Sequence, residues 1–481
     1  MTTILPIFPE VLLLALGVLI LTLDPFLKKD ADRRPFLGWF TAISLLVILT
    51  VSLLLARPGD PALVFGGMIR FDWLGFVFKM FFVFAAAVTA LFFMDADHLN
   101  RRAESYLLLV AATLGMCLMS SAADLIMLYL AIETTSIPLY ILAGFLKDDD
   151  KSTESGFKYL LFGALTSTVM LYGFSLIFGF TGTTDIYQLA GMLKTGTLSA
   201  IGALGILSLI LVGIGFKVSI VPFHFWAPDV YEGAPTPVSG FLSTASKAAG
   251  FAVLVRLFFV AFPDLASSWT AILAVISAVT MTVGNLLTLQ QTNIKRLLAY
   301  SSVAHAGYTM IGAVALSQLG VASVIFYLAA YIATNLLAFG IVMAFSRVTG
   351  LEDIKDYSGM SRRSPWLGLM MLAAFLSLAG MPPFGGFVGK VFVFAAGVEA
   401  GYTWLVILGI INSIIGVYYY LNVLKFVYLY RMPNQDEENH PVELTRPYTI
   451  ALTVLTIGVI LLGTVFAPWL SWANAAAMNL F

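Results

Sequence analysis

Cysteine is almost missing from this chain of 481 residues, with Cys117 the single instance. One thiol excludes an intrachain disulfide, a thiolate-held cluster and a cysteine-based zinc site. Charge is scarce too: 11% of residues are charged, where a soluble domain carries about 25%. The net charge of −1, with no basic patch apart from the loops, gives no case for nucleic-acid binding. Only four histidines occur, His98, His224, His305 and His440. The stretch 1–24 lacks a basic n-region and has Glu10 ahead of its main apolar run, so it is expected to be a retained helix rather than a cleaved signal.

What fills the chain is apolar: 60% of it is hydrophobic and 14% aromatic. Apolar runs of 18 or more residues recur between short polar breaks, and each is a candidate spanning helix. About fourteen are expected, near 4–24, 37–56, 72–94, 104–121, 124–145, 155–180, 200–226, 236–260, 269–289, 294–316, 320–346, 365–398, 402–430 and 447–470. Strands are not expected, because an open sheet leaves backbone groups unpaired in hydrocarbon. The fold class is therefore an all-α polytopic membrane protein.

Lysine and arginine give the orientation. Alternate loops, starting with the first, hold Lys28, Lys29, Arg33, Arg34, Arg101, Arg102, Lys147, Lys151, Lys295, Arg296, Arg347, Lys355, Arg362, Arg363, Arg431 and Arg446. The opposite set holds Arg57, Arg70 and Lys194. The first set is expected to be cytoplasmic, with both termini outside.

Two runs are longer than a span needs and carry proline inside them: one around Lys217 and Pro222, the other around Pro382, Pro383 and Lys390. Proline removes a helical donor and frees carbonyls one turn back, and such breaks survive in a membrane only where protein or water satisfies them. Paired interruptions in two halves point to an inverted-repeat transporter. The expected organisation is 1–103 as three N-terminal helices, 104–262 as a first five-helix repeat (spans 4–8), 263–431 as a second (spans 9–13), and 432–481 as a last helix. Spans 7 and 12 are the broken ones.

Glu133, Lys217, Lys247 and Lys390 each sit well inside an apolar run. A charge at the bilayer centre costs roughly 2.5–3.5 kcal/mol, so four cost on the order of 10–14 kcal/mol. Such groups mark ion or proton paths, and a movable Glu–Lys contact can hold a proton when closed and release it when open. The competing reading is a static ion pair that fixes helix register; three lysines against one glutamate weigh against it. His224 and His305 can relay protons, though a lone histidine is more often a packing residue, and haem ligation by the pair has little support. Lys158 follows Glu154 by four residues, so a relay role competes with an ordinary helix-surface pair. Arg256 and Lys425 are expected to snorkel from helix ends. His98 and His440 are expected in cytoplasmic loops. Asp72, Glu104 and Asp124 open helices as caps. Lys79 has no assignable carboxylate. Tyr418, Tyr419 and Tyr420 read as core and interface anchors.

The run 293–308, from Asn293-Ile294-Lys295-Arg296 to His305-Ala306-Gly307-Tyr308, and the run 222–238, from Pro222-Phe223-His224-Phe225-Trp226 to Pro235-Thr236-Pro237-Val238, resemble the antiporter-like subunits of respiratory complex I, relatives of the Mrp-type sodium/proton antiporters. Phe157-Lys158-Tyr159-Leu160 and Glu133-Thr134-Thr135-Ser136 look like the N-type subunit of NADH–quinone oxidoreductase. Lys390 stands where the M-type has glutamate, and no long lateral helix of the L-type is expected after the last span. The resemblance covers nearly the whole chain.

It implies a bacterial inner-membrane subunit with two inverted half-channels that couples redox chemistry elsewhere to proton pumping. It pairs Glu133 with Lys217, makes Lys247 the central lysine and Lys390 the outlet lysine, and places His224, His305 and Lys158 along the hydrophilic axis. It implies no cofactor on this chain, with NADH, flavin, iron–sulfur clusters and quinone handled by other subunits, and M-type and K-type subunits as neighbours. An Mrp-type antiporter subunit and a structural subunit without an ion path are the alternatives.

Overall fold

The computed structural model describes residues 4–27, 33–194, 198–431, 442–478 and 480. Lys28, Lys29 and His440 lie outside the described residues. Twelve helices among the described residues are long and apolar enough to cross a bilayer. Beside them stand Ile294–Val314 (21 residues) and two 15-residue helices, Pro365–Ala379 and Gly385–Glu399, separated by a break.

A helix that is apolar on all sides has to be surrounded. Thr236–Ala261 and Gln318–Thr349 meet that condition inside the protein, each with 94% of its most apolar window buried. Asp150–Thr181 is equally apolar, but only 33% of its window is buried. Its Leu160, Leu161 and Leu165 face outward, where hydrocarbon rather than water must cover them.

Polar caps set several helix starts. Asp124 accepts from the backbone N–H groups of Ile126 (2.8 Å) and Met127 (3.1 Å), and Asn293 accepts from Lys295 (2.8 Å) and Arg296 (3.2 Å). Each satisfies donors that a helix start leaves open. The two caps also belong to similar closures. Asp124 bridges Asp185 and Asn293 bridges Asp353. Between each pair runs a helix of 32 residues, Asp150–Thr181 or Gln318–Thr349, ended by left-handed Gly182 or Gly350, each at φ +71°.

The breaks expected in the seventh and twelfth spans fall at left-handed Ser219 (φ +59°) and Gly380 (φ +82°), and the structure corrects three other expectations. The seventh span stops at Val218 and resumes as Trp226–Gly233, beyond the expected end at 226. The last span, Arg446–Thr464, is followed by a separate helix Ala467–Met478 that packs on Gln318–Thr349 and Trp73–Phe93. A hairpin of Ala62–Val64 and Ile69–Phe71 lies between the second and third spans. Strands are viable here because the hairpin is outside the long apolar helices, and its edge is met by the Ala123 N–H, which donates to Met68 O (2.9 Å).

Ala266–Thr288 and Ile294–Val314 touch through Gly284, where an added Cβ would lie 2.6 Å from the Ala304 nitrogen. Gly284→Val should therefore cost about 1–3 kcal/mol and lower the melting temperature of the purified protein. Gly458→Val, with open space at its Cβ, should leave it near wild type.

Candidate functional site: a buried row of titratable groups

Leu125–Ala143 carries Glu133 and, one turn on, Ser136 on the same face. Glu133 Oε1 is buried without a hydrogen-bond partner. Facing it, Lys217 is 5% exposed near the end of Ala200–Val218, and its Nζ donates to Ser136 Oγ (2.9 Å). The expected direct Glu133–Lys217 ion pair is not made among the described residues; the ammonium sits one turn away on a hydroxyl. The break beyond Lys217 is braced by Trp226, whose Nε1 donates to Phe216 O (3.1 Å) and whose ring stacks on Tyr159 at 4.4 Å.

Lys247 follows a π-helical turn, Leu242–Ser246, within Thr236–Ala261. Gly250, three residues on, lets this helix approach that of Lys217: a Cβ there would lie 2.6 Å from Val218 Cγ1 and 3.3 Å from Lys217 Cγ. Lys247 Nζ donates to Ser302 Oγ (2.7 Å) and lies 5.8 Å from the Tyr231 ring centre. His305, three residues after Ser302 on the same helix, bonds Tyr327 Oη through Nδ1 (2.6 Å) and Tyr420 Oη through Nε2 (3.1 Å).

Three residues further, Tyr308 holds Lys390 Nζ 5.0 Å over its ring. Lys390 donates to Leu378 O (3.1 Å), Ala379 O (2.9 Å) and Ser413 Oγ (2.9 Å). The first two are carbonyls freed where Pro365–Ala379 ends, so the break and its lysine form one unit. Gly380 leaves room for the Lys390 stem, 2.7 Å from where a Cβ would sit.

Glu133, Lys217, Lys247, His305 and Lys390 are therefore brought into one row across five helices. The hydroxyls that bond its members, those of Ser136, Ser302, Tyr327, Tyr420 and Ser413, are not singled out by the sequence. Tyr420 had read as an anchor. The available signal was spacing, since Ser136 lies three residues from Glu133 and Ser302 three from His305.

A cavity of about 1030 Å³ opens at the end of the bundle bearing the many basic loops, lined by His98, Glu232, Thr236, Lys295 and Glu352 among others. Thr236 begins the helix of Lys247, eleven residues or roughly 16 Å along it. Between them Ser243 Oγ accepts from Asn335 Nδ2 (2.7 Å), which also donates to Tyr331 Oη (3.1 Å). The Tyr331 ring centre is 5.2 Å from that of His305.

Two relay candidates stand apart. Lys158 lies at the rim of the basic end, partly exposed, 2.6 Å from both Glu154 and Asp229. Asp229 also meets Arg296 (2.8 Å), and Glu232 meets Arg296 (2.8 Å) and Lys151 (3.2 Å). Partial burial pushes the Asp229 carboxyl up, but hydrogen bonds from Lys158 and Arg296 outweigh it and hold it below the ordinary range. Glu232 is likewise held low against burial by Arg296 and Lys151. His224 is buried in the turn after Pro222, its Nδ1 without a partner.

Arg256 does not snorkel: it is 2% exposed and bound to Asp72, because enough acceptors surround it to satisfy the guanidinium inside. Asp72 also caps Trp73–Phe93, accepting from Gly75 N (2.8 Å). Lys425 is exposed near its helix end, 5.2 Å from the Tyr430 ring centre. Lys79 has a carboxylate after all, Glu10 at 2.7 Å, and donates to Pro6 O (3.0 Å). Among the described residues no cluster of three or more His, Cys, Asp or Glu is placed to hold a metal.

A family profile described as NADH:quinone oxidoreductase/Mrp antiporter, transmembrane, matches residues 122–416. The chain belongs to this family. NADH-quinone oxidoreductase subunit N of Moorella thermoacetica is 43% identical over 98% of both chains, and subunit N of Heliobacterium modesticaldum is 41% identical over the same shares. A chain of respiratory complex I from Thermus thermophilus, solved with aureothin, superposes with a TM-score of 0.78 at 32% identity, covering 96% of this chain and 98% of that one. Within the NADH:quinone oxidoreductase/Mrp family, these relatives put the chain in the subunit N branch.

Two outcomes follow from the geometry. Ser302→Ala strips the Lys247 amine of its hydroxyl and should cost about 1–3 kcal/mol at that site, read as slowed proton translocation; Ser302→Thr should restore it. The low-lying Asp229 and Glu232 carboxyls add stability that is complete above the ordinary carboxylate range and lost as pH falls through their folded-state values. Melting in detergent should thus weaken below about pH 4, and Asp229→Asn with Glu232→Gln should flatten that decline.

Proposed function

We propose that the chain is a proton-translocating membrane subunit of a bacterial NADH–quinone oxidoreductase, and that it moves protons along the row from Glu133 to Lys390. The observation that carries this reading is the partner of each lysine. Lys217, Lys247 and Lys390 are buried on Ser136, Ser302 and Ser413, and no carboxylate pairs with them among the described residues. With the Ser136 and Ser302 hydrogens on Ile132 O (2.7 Å) and Ala299 O (2.6 Å), each hydroxyl oxygen can accept from an ammonium or from the N–H of a neutral amine, so each lysine keeps its partner in either protonation state. A carboxylate would favour the charged form and hold the proton.

The unpartnered Glu133 oxygen beside the Ser136-bound Lys217 is the open arrangement. Closing that contact favours the charged lysine; opening it frees a proton for Lys247, His305 and then Lys390, where a hop against 100 mV costs about 2.3 kcal/mol. His224, in the turn after Pro222, serves as a side station. Lys158 acts only at the rim, tuning the inlet.

The twelve long helices, Ile294–Val314 and the broken Pro365–Ala379/Gly385–Glu399 together make fourteen crossings. The matching closures at Asp124 and Asn293, the paired 32-residue helices and the left-handed ends at Ser219 and Gly380 support two inverted five-helix repeats, 104–262 and 263–431, after the N-terminal unit 1–103 and before 432–481. The basic loops face the cytoplasm, both termini lie outside, and the large cavity is the inlet. The chain is a non-redox part of the enzyme: NADH, flavin, iron–sulfur clusters and quinone are handled by neighbouring subunits, with M-type and K-type chains beside it in the membrane.

The family profile spans Mrp antiporters as well, so an antiporter subunit is the second reading; proton movement tied to quinone reduction rather than to a sodium gradient separates them. In proteoliposomes holding the assembled complex, Lys247→Ala should lower protons released per electron several-fold. An unchanged ratio would leave only a structural role.

A further inference from the structure

Arg256 is the one fully buried charge on the Lys247 helix that the relay does not use. It lies nine residues beyond Lys247, about 13 Å along the axis and near the end away from the basic loops. Its Nη1 donates to Asp72 Oδ2 (2.6 Å) and Tyr187 Oη (2.6 Å), its Nη2 to Asp72 Oδ1 (2.8 Å) and Ser120 O (2.8 Å), and its Nε to Ser120 O (3.0 Å). The guanidinium thereby ties together the start of Trp73–Phe93, the end of Ala103–Ser121, the short helix Ile186–Lys194 and its own helix.

Arginine keeps its charge at every physiological pH. A fixed cation in a narrow polar passage repels protons, as charged constrictions do in membrane pores. With each nitrogen already bonded to protein, none is free to order a water wire past it. Asp72 also lines, with Arg70 and Lys79, a space of about 10 Å³.

We propose that the Arg256–Asp72–Ser120–Tyr187 clamp seals the outer end of the first half of the chain. Protons that reach Lys217 and Lys247 then cannot leave directly and must pass through His305 to Lys390. This rests on the relay reading above and adds a positioning and barrier residue to it. Lys390, in the second half, is held instead by two carbonyls and a serine.

The test is passive leak in proteoliposomes holding the assembled complex, measured without electron donor as the decay of an imposed pH gradient with valinomycin present. Arg256→Gln and, separately, Asp72→Asn should speed the decay at least threefold while quinone reduction stays near wild type. Adding Lys247→Ala to either should return the decay to the wild-type rate, because the leak runs through the row. Wild-type decay in both single variants overturns the proposal, as does a leak that survives Lys247→Ala. Failure of both to assemble, with Tyr187→Phe no leakier than wild type, assigns the clamp to folding and overturns it too. Normal pumping by Lys247→Ala alone would instead defeat the relay reading.

Discussion

A buried amine that rests on a hydroxyl is the interaction on which this architecture turns. Removing an ammonium from water is costly unless it is paired, and the usual remedy is a carboxylate. Here the remedy at Lys217, Lys247 and Lys390 is a serine in each case. That choice trades strength of pairing for indifference to protonation state, and it requires the rest of the bundle to bring the serines within reach. Glycines at 250 and 380 do part of this by letting backbone come close to a lysine stem.

The helix breaks belong to the same constraint. An intact helix offers its carbonyls to its own backbone, so a lysine crossing it finds no acceptor. Ending Pro365–Ala379 at left-handed Gly380 releases two carbonyls, and Lys390 occupies both. The other break works by a different means: Lys217 lies before it, and Trp226 after it takes the Phe216 carbonyl, steadying the helix end from which the lysine reaches Ser136. Both breaks are surrounded by protein, as backbone polar groups at membrane depth require.

Much of this was legible in the letters, for physical reasons. Hydrocarbon tolerates few structures, so apolar runs gave the spans, and the cost of charge in lipid singled out Glu133, Lys217, Lys247 and Lys390. What escaped was what apolar counting cannot rank. Ser302 and Tyr420 are common membrane residues whose importance comes from neighbours on other helices. Arg256 looked like an interfacial residue because its partners, Asp72 and Tyr187, are 184 and 69 positions away. Glu10 and Lys79 were both visible, but only packing joins residues on the first and third spans. The hairpin at 62–71 fell to a rule about hydrocarbon that does not govern a loop outside it, and the helix Ala467–Met478 was absorbed into the last apolar run.

The most direct measurement is an experimental density map of the assembled complex at a resolution that shows ordered water. The account predicts waters bridging the Nζ atoms of Lys217 and Lys247, and further waters joining His305 to Lys390, so that the row is continuous. Apolar side chains in direct contact across either gap, with no water and no polar atom between the stations, would contradict it.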